Sequence, residues 1–457
     1  MPIIIAEAGA MNQNKPFKRK TMRLPKHLVH LNAYAAGIDI GSKSHFVAVP
    51  EGVAEESVRE FSTFTDDLER LADWLISCNI TTVAMESTGI YWIPVFEILE
   101  SRGLDVKLVN ARHVKNVPGR KSDVLDCQWL QQLHTYGLLR GAFRPAEQVC
   151  ALRAYVRQRG TLVRISASHT QHMQKALAQM NLQLHNVVSD ITGLTGMRII
   201  NAILAGERNP EALAKFRDKR CKNDEKTIAR SLYGNYRPEH LFSLQQAVEL
   251  HEFYQAKIAD CDRQILEQLK LFDAAEQDKN PPDGKPPVSL EEALLRISGV
   301  DLASIDGIDT TSALKIIAEI GIDMSRWKSD KHFASWLGLC PGAKISGGKV
   351  LSSATKRIAN RAAVAFRMAA FSLIRSKSAL GAYIRRQRAR LGASKAITAT
   401  AHKLARLVYS MLKNGTSYAD LGQDHYEERY RSKVLQNLKR KAQQLGFELV
   451  PTQGQMA

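Results

Sequence analysis

The chain has 457 residues, 44% of them hydrophobic, enough for two or three domains with cores of their own. Lys and Arg number 64 against 46 Asp and Glu, and the formal charge of +18 asks for a polyanionic partner, nucleic acid before an anionic membrane surface. No apolar run reaches the roughly 18 residues of a membrane span, and none of the six cysteines (Cys78, Cys127, Cys150, Cys221, Cys261, Cys340) forms a CxxC pair, so a membrane protein, a zinc ribbon and a redox motif are excluded in favour of reduced thiols in a cytoplasmic protein.

Residues 1–32 form a basic N-terminal arm containing KPFKRKTMR, which reads as a disordered leader. Residues 33–145 read as an α/β domain. AAGIDI and HFVAVP are strands across a GSKS turn, and VREFSTF is a third. DDLERLADWLISCN has helical spacing, with Leu68, Leu71 and Leu75 on one face. A strand (TTVAMES), a helix ending at Gly103, the strand DVKLVN and a helix starting near Ser122 follow. This order fits a ribonuclease H-like fold, with the sugar-kinase and actin fold as the alternative.

Residues 146–279 read as a helical coiled-coil region. Leu250, Tyr254, Ile258, Cys261, Ile265 and Leu269 make a stripe at steps of three and four, expected to pack. Residues 280–289, NPPDGKPPVS, are a linker. A mostly helical domain over 290–420 and a charged helical tail over 421–457 complete the chain.

Charge is unevenly placed. Residues 33–140 hold 10 Lys and Arg against 15 Asp and Glu, whereas no acid occurs between Lys331 and Ala419. A solvated surface normally mixes signs, so the second stretch is expected to meet nucleic acid.

Four acids stand out in the first domain. Asp39 lies in the apolar strand GIDIG, Glu86 ends the strand AMES, and Asp123 and Asp126 share one helix face in KSDVLDC. Acids at such places are costly unless they bind cations. Hard oxygen donors suit Mg²⁺ or Mn²⁺. Two such ions about 3.5–4 Å apart would bridge a scissile phosphate.

Farther on, SIDGIDTTSALKIIAEIG suggests a helix–hairpin–helix whose turn amides would hold a DNA phosphate, although Asp309 stands where a second glycine is usual. WLGLCPGAKISGGK follows, with Ser346 beside two glycines in a basic loop. By spacing alone, Ser346 reads first as an ordinary loop serine and only second as a nucleophile, with Ser352 and Ser353 as nearby competitors.

Taken together, GIDIGSK, MESTGIYW, KSDVLDC, SIDGIDTTSALKIIAEIG and WLGLCPGAKISGGK resemble the insertion sequence 110 family of transposases, its 1111 subgroup included, over about residues 33–180 and 290–415. The resemblance implies a RuvC-like domain in which Asp39, Glu86, Asp123 and Asp126 are the catalytic, metal-binding DEDD set. It implies a C-terminal transposase domain in which Ser346 attacks DNA and forms a phosphoserine link, at a composite site shared between protomers. It further implies double-stranded DNA as substrate, an element-encoded guide RNA whose pairing carries sequence specificity, and a dimeric or tetrameric protein of the prokaryotic cytoplasm, associated with the nucleoid. Two positions depart from the family pattern: Ala359 replaces a glycine in Lys356-Arg357-Ile358-Ala359-Asn360, and Cys127 stands where alanine is common. Lys344, Lys349, Lys356, Arg357 and Arg361 are expected to contact phosphate, positioning DNA rather than reading it. The expected function is therefore a metal-assisted DNA recombinase with a covalent serine intermediate. The competing readings are a RuvC-like Holliday-junction nuclease without that intermediate and a non-catalytic nucleic-acid-binding protein.

Overall fold

The computed structural model describes residues 30–87, 89–110, 123–275, 289–356, 358 and 360–450; the side chains of Asp123 and of 273–275 lie outside that description. The N-terminal arm up to residue 29, Ser122, Arg357, Ala359 and all of the linker except Ser289 also fall outside it. The chain divides into two compact units between Arg144 and Pro145.

Five strands form the sheet of the first unit: β1 (Ala35–Ile40), β2 (Ser44–Ala48), β3 (Val58–Ser62), β4 (Thr82–Glu86) and β5 (Asp105–Val109). Their order is β3-β2-β1-β4-β5, with β1–β2 and β2–β3 antiparallel and β1–β4 and β4–β5 parallel. Alternation along each strand sorts side chains to two faces. Ala36, Ile38 and Ile40 join Val47, Val83 and Met85 in one core with Leu68, Leu71 and Leu75 of α1 (Thr65–Ser77) and Val95, Phe96 and Leu99 of α2 (Trp92–Ser101). Gly103 closes the end of α2 in the left-handed conformation that glycine adopts freely. Helix α3 (Asp123–Thr135) covers the opposite face, where Leu130 packs on Ala84 and Val109. The order three strands, helix, strand, helix, strand, helix read from the sequence is the order observed among the described residues.

In the second unit two long helices pair, α4 (Glu147–Gln179) and α9 (Pro238–Ala275). They run antiparallel: Arg159 meets Asp262 at 2.5 Å, and farther along α4 the Ser166 hydroxyl meets His251, earlier in α9, at 3.1 Å. Ile258, Ile265 and Leu269 of the expected stripe are buried, but Leu250 is 42% exposed. The buried face there runs through Leu244, Ala247, Val248 and His251 instead. The cause lies in the four short helices between the long ones, α5 (Leu184–Val187), α6 (Leu194–Leu204), α7 (Pro210–Ala214) and α8 (Glu225–Ser231). They build a separate core from Met173 to Val248, which claims a different face of α9.

The C-terminal part comprises α10 (Leu290–Ser298), α11 (Thr310–Ile320), α12 (Asp330–Trp336), a hairpin of β6 (Lys344–Ser346) and β7 (Lys349–Ser352), then α13 (Arg361–Ser372), α14 (Ala379–Leu391), α15 (Ala393–Asn414) and α16 (Gly422–Gln444). Arg153 and Arg157 of α4 fasten onto the end of α11 through the carbonyls of Ala318 and Glu319 and the Glu319 carboxylate. Among the described residues no helix is long and apolar enough to cross a membrane.

Candidate active site

The acid cluster is built by register. Parallel pairing sets Gly37 beside Ala84 and Ile38 beside Met85. One residue farther along each strand stand Asp39 and Glu86, on the face that carries Gly37 and Ala84 and that α3 covers. Both are half-buried. Gly37 lets α3 approach: a Cβ there would lie 2.9 Å from Gln131 Cα and closer still to the Gln131 nitrogen and the Cys127 carbonyl oxygen. No side chain fits, so backbone packs on backbone.

That contact draws the N-terminal half of α3 over the strand ends. Cys127 is fully buried and Asp126, its neighbour, half-buried. Burial, followed by the nearby carboxylates of Asp39 and Asp126, pushes the Cys127 thiol up to about 12. Both acids therefore act on one buried point from different elements. Asp123 opens the same helix, one turn before Cys127. Among the described residues, which omit the Asp123 side chain, no three His, Cys, Asp or Glu side chains are placed to share one metal ion. The donor set is nonetheless of the kind hard divalent cations take, carboxylate oxygens alone on two strand ends and one helix.

Ser346 sits elsewhere, in the second unit. It ends β6 and pairs with Lys349 across Gly347 and Gly348, whose φ angles are 54° and 75°. Two positive φ values in a two-residue loop make the tight turn that suits hairpin twist. Lys344, Ile345, Ser346 and Lys349 are all exposed. On the sheet's two faces, Ile345 pairs with Val350 while Ser346 pairs with Lys349, so serine and ammonium project to one side. Ile345, Val350 and Leu351 are each about two-thirds exposed, which leaves a two-stranded ribbon without a cover of its own.

Lys356 and Arg361 are exposed as well. Arg361 is the first residue of α13, where the positive end of the helix disfavours a cation. Asn360 caps that helix, accepting from the Ala363 amide at 3.1 Å. Other members of the acid-free run have structural work. Arg406 pairs with Asp330 at 2.5 Å, Arg385 donates to the carbonyls of Ile374 and Ser376, Lys403 lies over Tyr383, and Lys413 donates to Tyr409.

In the helix–hairpin–helix segment, the turn before α11 contains Gly307. Gly307, at φ 86°, packs against α13, where a Cβ would meet the Ala369 carbonyl oxygen at 2.6 Å. Asp309 caps α11, its carboxylate accepting from the Ser312 amide at 2.7 Å. That bond holds the Asp309 carboxyl below its usual range.

Sequence reading did not single out Gly37 or Asn360 for these roles. A glycine inside a strand is the signal for close backbone approach that would have found the first. An Asn ahead of an alanine-rich helix would have found the second.

Residues 36–182 match a family model of DEDD transposases of IS110 type, described as Transposase. Residues 301–385 match a second, described as Transposase IS116/IS110/IS902 family. No curated protein matches the chain.

Proposed function

Because this chain belongs to the IS110 family of transposases, whose members cut and rejoin DNA, we propose that it recombines the DNA of an insertion sequence with carboxylate-held metal and a covalent serine intermediate. The observation that carries the metal half is the register that sets Asp39 beside Glu86 on the face beneath α3. Asp39, Glu86, Asp123 and Asp126 are the residues that would hold Mg²⁺, or Mn²⁺. When bound, the metal supplies charge stabilisation to the phosphate oxygens.

The serine half rests on the hairpin. In the step proposed, Ser346 Oγ forms a bond to the scissile phosphorus and loses its proton to water. The P–O bond to a deoxyribose breaks, and that oxygen leaves protonated as a hydroxyl. One phosphodiester is exchanged for another, so the reverse step rejoins DNA without ATP. The bare glycine turn supports this by leaving Ser346 open to a duplex, and Lys349 across the strand supplies a counter-charge to the phosphate. Lys344, Lys356, Arg357 and Arg361 are proposed as phosphate contacts.

The proposal includes an element-encoded guide RNA and a homo-oligomer. The excess of Lys and Arg supports a second polyanion. An exposed apolar stripe on α13, Val364, Met368 and Phe371, supports self-association.

Single-turnover cleavage of labelled donor DNA with Mg²⁺ and the element's RNA tests the reading. Asp39→Asn is expected to lower cleavage by about 10² to 10³, and Ser346→Ala to abolish both cleavage and strand transfer. Full cleavage by Ser346→Ala would leave a junction nuclease that hydrolyses DNA. Indifference to both changes would leave a binding protein.

A further inference from the structure

The last helix, α16, lies beyond both family matches, which end at residues 182 and 385. It has 23 residues, and none of them is buried. Its first turns are anchored: Gln423 accepts from Arg385 at 2.6 Å, and the Arg386 guanidinium lies 3.3 Å from the centre of the Tyr430 ring. After Tyr430 every residue of the helix is exposed except the half-buried Val434 and Ala442.

Its charge is sorted along and around the axis. The acids Asp424, Glu427 and Glu428 come first, and from Arg429 to Phe447 there is no acid. Six cations occupy that stretch: Arg429, Arg431, Lys433, Lys439, Arg440 and Lys441. Among the described residues none of the six makes an ion pair. A helix macrodipole favours cations only in the last turn, which does not account for Arg429 and Lys433 in mid-helix. At 3.6 residues per turn Arg429, Lys433 and Arg440 fall on one face, with Gln436 and Asn437 between them. Val434, Leu435 and Leu438 lie on the other side.

We propose that this face of α16 docks on duplex DNA, with Arg429, Lys433 and Arg440 on the phosphate backbone and the amide side chains toward the groove. Charge complementarity selects a polyanion. A B-form major groove, about 12 Å wide, admits a helix, whereas the deep, narrow major groove of an RNA duplex does not. The contact adds to DNA affinity independently of the acids and of Ser346.

The test is fluorescence anisotropy of the full chain with a short mixed-sequence DNA duplex across a salt series. The triple change Arg429→Gln, Lys433→Gln, Arg440→Gln is compared with Arg431→Gln, Lys439→Gln, Lys441→Gln, which removes equal charge from the other sides. All six positions are exposed and Gln suits a helix, so folding is unaffected. Three phosphate contacts at about 0.9 each lower the log–log salt slope by about 2.7 for the first variant. The second is expected to lose less than half of that. Equal losses in both variants, or no loss in the first, would overturn the proposal. So would an equal loss on a matched RNA duplex.

Discussion

Replacing Gly37 by alanine tests how the acids are assembled. The new methyl carbon would lie 2.9 Å from Gln131 Cα and nearer still to the Gln131 nitrogen and the Cys127 carbonyl oxygen. All three are backbone atoms of α3, so no side chain can rotate away. Restoring ordinary contact at about 3.5 Å moves the helix outward by about 1 Å. Overpacking of this kind costs about 1–3 kcal/mol. The same shift carries Asp126 and Asp123 away from Asp39 and Glu86, and a misplacement of about 1 Å costs on the order of 10² in rate. Single-turnover DNA cleavage and thermal melting are measured together, with Leu71→Ala as reference. Leu71 is fully buried among α1, α2 and the opposite face of the sheet, so that change destabilises by about 2–5 kcal/mol without touching α3. Gly37→Ala is expected to lose far more rate than Leu71→Ala at temperatures where both are folded. Cleavage within twofold of the parent would refute the view that backbone contact at Gly37 sets the carboxylates.

Asp39→Asn and Glu86→Gln are each expected to lower cleavage by about 10² to 10³ while leaving the melting temperature in metal-free buffer unchanged or higher, since one of several like charges is removed. His134 is buried with its Nε2 2.9 Å from the Thr82 hydroxyl, and burial lowers its pKa to about 4. Its neutral form is the one folded, so stability is full above about pH 6.5 and falls as pH drops toward 4, by roughly 3 kcal/mol in all; His134→Gln should flatten that part of the pH–melting curve. Gly348→Ala places a side chain at φ 75° in the hairpin turn, at a cost of about 1–2 kcal/mol to the ribbon; DNA joining should fall while the melting temperature, set by cores elsewhere, stays put.

Much of the first unit was legible because its strands and helices carry clear periods and end in recognisable residues. Asp39 and Glu86 could be placed on strand ends, and Asp126 on a helix, from local pattern alone. What sets Asp39 and Glu86 side by side on one face is the parallel register of β1 with β4, which no local pattern encodes. The head of the second unit was not legible. Helices of four to seven residues, such as Leu184–Val187 and Glu225–Ser231, are too short to show a period, and their core turns α9 so that Leu250 is exposed. Within the acid-free run Arg385, Lys403 and Arg406 are held by carbonyls, a tyrosine ring and Asp330. Such partners lie far along the chain, so composition shows the charge and not its use. Asp309, noted as a departure from the glycine pattern, proved to be the anion that caps α11.

The most direct test of the central claim is to map the covalent bond. The protein is incubated with Mg²⁺, the element's RNA and donor and target DNA, quenched in denaturant, and digested with nuclease and protease for mass spectrometry. The account predicts a nucleotide phosphate on the peptide spanning Lys344–Lys349, at Ser346, absent from the Ser346→Ala and Asp39→Asn proteins. DNA that is cut and joined with no nucleotide on any peptide, or with one on Ser352 or Ser353 instead, would contradict it.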